Sequence, residues 1–177
     1  MGTSIDCIIP REKDFEIEEL RQRLDDVFVR LKTEVLHLRE FGHFSKRASE
    51  SLKWFLIFVP AEKDLPEHIT GEGFTFSVDI YKNVVLIGCI ERFNDLYFKE
   101  KNTSDQIFKI ITELAKEFCF SNKLLLSAGG FGDTDHALDM AYYDEANFDE
   151  ICAKMTELHG IPADNFDDLK DVPWYLR

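Results

Sequence analysis

A glycine-rich segment followed by acidic residues has the clearest potential for chemistry in this sequence. Residues 129–132 read Gly-Gly-Phe-Gly, and four possible metal ligands follow them: Asp133, Asp135, His136 and Asp139. Carboxylate oxygens suit Mg²⁺, Ca²⁺ or Mn²⁺, and a single histidine can join them. The spacing differs from the EF-hand pattern, which needs a glycine at position 6 and a glutamate at position 12. One hypothesis is therefore a metal-dependent hydrolase in which the bound metal activates water.

The preferred interpretation of the same segment is structural. Three glycines after a strand permit a sharp turn, and Asp133 or Thr134 can cap a short helix that continues through residues 137–142. Phosphate binding is disfavoured because the carboxylates would repel phosphate and no Lys or Arg lies between Lys123 and Lys154. Neither the Walker A spacing nor the dinucleotide-binding spacing is present.

The negative charge of the chain is concentrated near its end. Residues 131–177 contain 12 Asp and Glu against Lys154, Lys170 and Arg177, which gives −9 of the total −13. The other 130 residues are close to balanced, with 22 acids and 18 bases. A surface of one sign attracts its complement and repels its like. Nucleic acid is therefore a poor candidate ligand, and a basic protein is a better one.

Aromatic residues are interleaved with these acids, as in an interface that has anchors at its centre and charges around them. An alternative is that the rings point into the core and the acids into water. The predicted partner-binding residues are Tyr143, Asp144, Glu145, Asp164, Phe166, Asp167, Asp168, Asp171 and Trp174. The pattern predicts a non-catalytic binding protein that covers a basic surface of a protein partner, for example an immunity protein that neutralises a nuclease toxin. The oligomeric state is left open, with self-association through the first helix or a sheet edge as a further alternative.

Other catalytic signatures are missing from the sequence. It has no GxSxG, HExxH or H-x-E…CxxC arrangement, and no cofactor is predicted. Its cysteines lie far apart, which predicts buried free thiols in a reducing compartment: Cys7, Cys89, Cys119 and Cys152. No signal-peptide pattern opens the sequence, and no apolar run approaches the roughly 20 residues that cross a bilayer. A cytoplasmic protein without membrane association is expected, and a non-enzyme is favoured.

The elements that position these residues follow from hydrophobic periodicity. The 177 residues, 45% of them hydrophobic, predict a single domain over 1–177. Apolar or alternating runs predict five strands, at residues 5–9, 54–59, 74–80, 84–90 and 124–127. The third and fourth form a hairpin around Lys82 and Asn83, where asparagine tolerates the positive φ of a tight turn.

Three helices are predicted, over residues 15–39, 103–120 and 147–159. The first has an apolar stripe that could form a dimerising coil but is expected to pack on the protein's own sheet. Thr103 and Gln106 have the spacing of a capping box at the start of the second. The order predicts an α+β fold, with a mainly antiparallel sheet of about four to five strands and two to three packed helices. The predicted core includes Leu24, Leu31, Phe58, Phe76, Val85, Ile87, Ile111 and Leu114.

Overall fold

A computed structural model describes residues 4–34, 38–41, 53–58, 74–89, 101–129 and 133–177. Within these ranges, seven strands form one sheet in the order β2-β3-β4-β5-β1-β6-β7, and every neighbouring pair is antiparallel. The strands are β1 (Ser4–Pro10), β2 (Leu38–Phe41), β3 (Lys53–Phe58), β4 (Phe74–Ile80), β5 (Val84–Cys89), β6 (Leu125–Gly129) and β7 (Trp174–Leu176). The α+β class is confirmed. All five predicted strands are present, and β2 and β7 are additional to them.

In the described part of the chain, the sheet is accompanied by four α-helices: α1 (Ile17–Glu34), α2 (Lys101–Ala115), α3 (Asp133–Tyr143) and α4 (Phe148–His159). A 3₁₀ helix, Phe166–Lys170, precedes β7. Within the described ranges, none of these helices has the length and apolarity that a membrane crossing requires.

The helices cover both faces of the sheet because the strand side chains alternate between two apolar clusters. Ile5, Cys7 and Ile9 of β1 belong to a cluster with α1 and α2, whereas Ile8 belongs to a second cluster with α3 and α4. Seven of the eight predicted core residues are buried in the first cluster: Leu24, Leu31, Phe76, Val85, Ile87, Ile111 and Leu114. The side chain of Phe58 lies outside the described residues.

The apolar stripe of α1 packs on the protein's own sheet, as expected. Its buried side chains are Leu20, Leu24, Val27, Phe28 and Leu31. The predicted C-terminal end of this helix was wrong, because α1 ends at Glu34 and residues 38–41 form β2. Pairing with β3, which aligns Leu38 with Phe58, holds this segment extended.

Two local predictions about capping and turns were also wrong. Helix α2 already includes Lys101, so Thr103 lies inside the helix and not at its N-cap. The β4–β5 hairpin is confirmed, with Ile80 opposite Val85. Its turn does not use a positive φ at Asn83, since the non-glycine residues with positive φ in the described ranges are Asn122 and Glu145.

The carboxylate of Glu12, just after β1, holds the segment that follows α2 by hydrogen bonds. The Glu12 carboxylate accepts hydrogen bonds from the backbone N–H groups of Phe120 (2.6 Å) and Ser121 (2.8 Å). The Ser121 hydroxyl (2.6 Å) and the Cys119 thiol (3.3 Å) also donate to it. Desolvation alone raises the pKa of Glu12, but these hydrogen bonds outweigh it and lower the pKa to about 2.

Candidate functional site

Helix α3 buries one side and presents the other to solvent. Ala137 and Ala141, one turn apart, are buried against the sheet. Asp139, Tyr142 and Tyr143 are therefore on the outer side, with 65% of Tyr142 and 74% of Tyr143 exposed. We call Tyr81, Asp139, Tyr142, Tyr143, Asp144 and Glu145 together the tyrosine surface.

On this surface the ring of Tyr142 contacts the rings of both Tyr81 and Tyr143 at near right angles. The centroids of Tyr142 and Tyr143 are 4.8 Å apart with an interplanar angle of 87°. Tyr81, at the end of β4, lies 6.3 Å from Tyr142 at 88°. Edge-to-face contacts of this kind hold aromatic rings in defined orientations. The outer side of the cluster is thus a preorganised aromatic patch.

The turn between α3 and α4 places two carboxylates beside these rings. Asp144 and Ala146 donate backbone hydrogen bonds to the Met140 carbonyl, at 3.2 and 3.0 Å. Glu145 adopts a φ of 52°, and its carbonyl accepts a hydrogen bond from the side-chain amide of Asn83 (2.6 Å). The Glu145 carboxylate forms an ion pair with Lys82. The β4–β5 hairpin therefore fixes the position of the acidic turn.

A capping box supports the turn from its other side. The Asn147 side chain accepts a hydrogen bond from the Glu150 backbone N–H (3.0 Å), and the Glu150 carboxylate accepts one from the Asn147 N–H (2.8 Å). These reciprocal bonds satisfy backbone donors at the start of α4. The predicted helix over residues 147–159 is confirmed.

The surroundings of Tyr81 are negatively charged. Burial raises the pKa of the Tyr81 hydroxyl. The nearby Asp79, Tyr142 and Asp6 raise this pKa further. Among the residues the structure describes, neither Asp139 nor Asp144 forms an ion pair. Lys82 offsets the charge of Glu145, whereas the charges of Asp139 and Asp144 remain available to attract a cation.

Polar residues continue from Tyr81 across the same face of the sheet. Gly88 lies between Ser77 of β4 and Asp6 of β1 in the strand register. A Cβ atom at Gly88 would lie 3.4 Å from Asp6 Oδ1 and 3.6 Å from Ser77 Oγ. These are ordinary van der Waals distances, so the Asp6 and Ser77 side chains lie directly beside the Gly88 backbone on this face. The alternation predicted for β4 placed Ser77 and Tyr81 on this wetter face correctly.

The acidic and aromatic residues that follow α4 are arranged differently. Trp174 is only 1% exposed, and its indole N–H donates to the Gly160 carbonyl at 3.1 Å. Phe166 is partly buried and stacks on Phe108 of α2 at a centroid distance of 4.4 Å. The neighbouring acids are exposed or partly exposed: Asp164, Asp167, Asp168 and Asp171. In this segment the rings point inward and the acids outward.

The predicted partner-binding residues thus lie in two places. Tyr143, Asp144 and Glu145 lie at the tyrosine surface, whereas the remaining six accompany the 3₁₀ helix and β7 at the edge of the sheet. Trp174 is not available at the surface, and the binding role of the others stays a prediction. Sequence reasoning missed Tyr81 and Tyr142 as site residues. The four-residue spacing of Ala137 and Ala141 was the available signal, since it identifies the buried side of α3.

Most of the side chains proposed as metal ligands are not among those that the structure describes. Residues 133–143 form α3, so the helix predicted by the structural interpretation is present, but the predicted N-cap was wrong because α3 already includes Asp133 and Thr134. The side chains of Asp133, Asp135 and His136 are not described, and Asp139 is exposed. No group of three potential ligands occurs among the described residues. The metal site stays a prediction.

The described cysteines are free thiols. Cys7 and Cys119 are buried, and Cys152 is partly buried. Desolvation raises the pKa of the Cys7 thiol. Desolvation and the charge of the nearby Asp149 raise the pKa of the Cys152 thiol to about 11. The side chain of Cys89 lies outside the described residues.

Comparison with protein-family models, curated proteins and solved structures found no significant match to this chain.

Proposed function

We propose that this protein is a non-catalytic, cytoplasmic binding protein whose tyrosine surface covers a basic surface of a partner protein. The observation that carries the proposal is the pair of exposed rings, Tyr142 and Tyr143, with Asp139, Asp144 and Glu145 around them. Protein interfaces commonly place aromatic anchors at the centre and polar groups at the rim. Carboxylates at the rim attract a cationic partner and exclude an anionic one.

An immunity protein that neutralises a nuclease toxin is a concrete member of this class. A nuclease carries a positively charged surface for nucleic acid, which an acidic protein can cover. The net charge of −13 agrees with such a partner. The free thiols Cys7, Cys119 and Cys152 agree with a reducing compartment such as the cytoplasm.

Capture of a partner by two charge-matched variants tests the proposal. Asp139→Asn/Asp144→Asn removes two carboxylates from the tyrosine surface, and Glu18→Gln/Asp26→Asn removes two from α1 on the opposite face of the sheet. We expect the wild type and the α1 variant to retain the same basic polypeptide, and the tyrosine-surface variant to bind it at least about tenfold more weakly. The activity of that polypeptide should be inhibited by stoichiometric wild-type protein.

Equal retention by both double variants would exclude the tyrosine surface as the interface. Capture of nucleic acid alone, or of a partner that stays fully active when bound, would contradict the proposed function. The folding of each variant is checked by thermal unfolding, and both should melt close to the wild type because the substituted residues are exposed or half-exposed.

A further inference from the structure

Several aromatic rings of this protein are covered by the chain's own basic side chains. The Arg11 guanidinium lies 4.6 Å from the ring centroid of Phe15, and the Lys13 ammonium lies 4.7 Å from that of Phe120. Arg177 lies 5.6 Å from the ring of Phe108. These are cation–π distances, at which the negative face of a ring attracts a positive charge. Even Phe120, which is 72% exposed, has such a partner.

The rings of Tyr142 and Tyr143 differ in this respect. In the described part of the chain, no basic side chain lies over either ring. Two basic side chains that contact residues of this surface are already engaged. Lys82 pairs with Glu145, and Arg11 donates to the Tyr81 carbonyl at 3.1 Å while it covers Phe15. The tyrosine faces are thus open to a cation from another molecule.

Hydrogen-bond acceptors lie next to these open faces. Asp139 is three and four positions before Tyr142 and Tyr143, which puts all three on the same side of α3. Asp144 follows Tyr143 directly and is exposed. A planar cation that stacks on a tyrosine ring would therefore have a carboxylate within reach of its edge.

We infer that the tyrosine surface recognises an arginine side chain of the partner, with the guanidinium stacked on Tyr143, the more exposed of the two rings, and hydrogen-bonded to Asp139 or Asp144. This inference rests on the proposed function and names the residue type that the same surface takes. Arginine fits better than lysine because its planar guanidinium stacks on aromatic faces and presents donors in a fork that matches a carboxylate. A second copy of this chain is a poor occupant, because two surfaces of the same negative charge repel each other.

Three short peptides that differ at two positions test the inference without knowledge of the partner. The probes are capped Gly-Arg-Arg-Gly, the same peptide with lysine, and the same peptide with citrulline, which keeps the planar shape of arginine but is neutral. Binding is followed by NMR on the ring protons of Tyr142 and Tyr143, assigned from Tyr142→Phe and Tyr143→Phe spectra. We expect saturable shifts with the arginine peptide, binding about two- to fivefold weaker with lysine, and none with citrulline.

Variants then separate stacking from plain charge attraction. Tyr143→Phe keeps the ring and should bind the arginine peptide about as well as the wild type, whereas Tyr143→Leu should bind it about two- to fivefold more weakly. Phe120→Leu is the matched control, because it removes an exposed ring that already has a cation over it. Binding of arginine and lysine peptides with equal affinity, unchanged in Tyr143→Leu, would overturn the inference.

Failure of the arginine inference can be distinguished from failure of the proposed function. Peptide binding that requires Tyr143, with no cationic protein partner found, would leave an arginine site and remove the inhibitor function. A captured partner that needs Asp139 and Asp144 but is indifferent to Tyr143→Leu would keep the function and remove arginine stacking.

Discussion

At the scale of single residues, Glu12 offers a clear link between local geometry and stability. Its pKa of about 2 in the folded protein lies below the ordinary value of 4.5, so folding favours the ionised carboxylate. The stabilisation should be complete above about pH 4.5 and should be lost as the pH falls toward about 2. We expect Glu12→Gln to lower the free energy of unfolding at pH 7 by on the order of 1 kcal/mol, a modest value because the group is exposed.

Urea unfolding of the wild type and Glu12→Gln across this pH range gives the measurement. The difference between the two proteins should shrink as the pH falls below about 4.5. Glu16→Gln, a neighbouring exposed glutamate, is the control and should behave like the wild type. If the loss of unfolding free energy in Glu12→Gln stayed constant down to pH 2, the charge of the Glu12 carboxylate would not be the source of the stabilisation.

Residue types alone predicted part of the candidate site. Acids next to aromatic residues identified Tyr143, Asp144 and Glu145, and these do lie together at one surface. The same reasoning left open whether the other rings are anchors or core, and Trp174 is core because β7 pairs with β6. Nor could it find Tyr81, which reaches Tyr142 only because the hairpin lies beside α3.

At the scale of elements, two asparagine N-caps with different chemistry allow a matched comparison. Asn147 caps α4 with a side-chain hydrogen bond, whereas Asn165 precedes the 3₁₀ helix without one. We expect Asn147→Ala to lower the free energy of unfolding by about 1 kcal/mol, within a range of about 0.5–2 kcal/mol. Asn165→Ala should lower the free energy of unfolding by only about a few tenths of a kcal/mol, because it loses only an exposed hydrogen bond to Asp168.

Urea unfolding of both variants checks this expectation. Because the Asn147 cap also fixes the turn that holds Asp144 and Glu145, Asn147→Ala should weaken partner binding as well. Equal losses of stability in the two variants would mean that the capping box contributes nothing beyond a surface hydrogen bond.

The periodicity of the sequence predicted the long elements and failed at short ones and at ends. Helix α4 and the β4–β5 hairpin carry strong local signals, a cap and an alternating run, and both were found. The three residues of β7 and the four of β2 have no such signal, since each forms by pairing with a distant strand. Helix α1 was extended too far because the apolar spacing of residues 35–38 also fits a helix.

At the scale of the whole molecule, the charge asymmetry should control the rate of association with the partner. Asp164, Asp167 and Asp171 are exposed but lie away from the tyrosine surface, so their effect acts through the long-range field. Replacing all three with Asn should slow association and leave dissociation nearly unchanged, whereas Tyr143→Leu should speed dissociation.

Stopped-flow or surface-binding kinetics at several salt concentrations would show the effect. Screening acts over a length of about 10 Å at 0.1 M salt, so association of the wild type should slow as salt rises. The triple Asn variant should show a weaker salt dependence. An association rate that is the same at all salt concentrations would contradict electrostatic steering.

The place of β1 in the sheet has a consequence for how the protein is made. Among the strands that the structure describes, β1 comes first along the chain but lies in the middle of the sheet, and its neighbours β5 and β6 follow only at Val84 and Leu125. Until residue 129 has been synthesised, the nascent chain has at least one open edge of β1 that can pair with another chain. Both edges of β1 are therefore covered only after more than 100 further residues have been made, and a chaperone that holds β1 during this interval should raise the yield of folded protein.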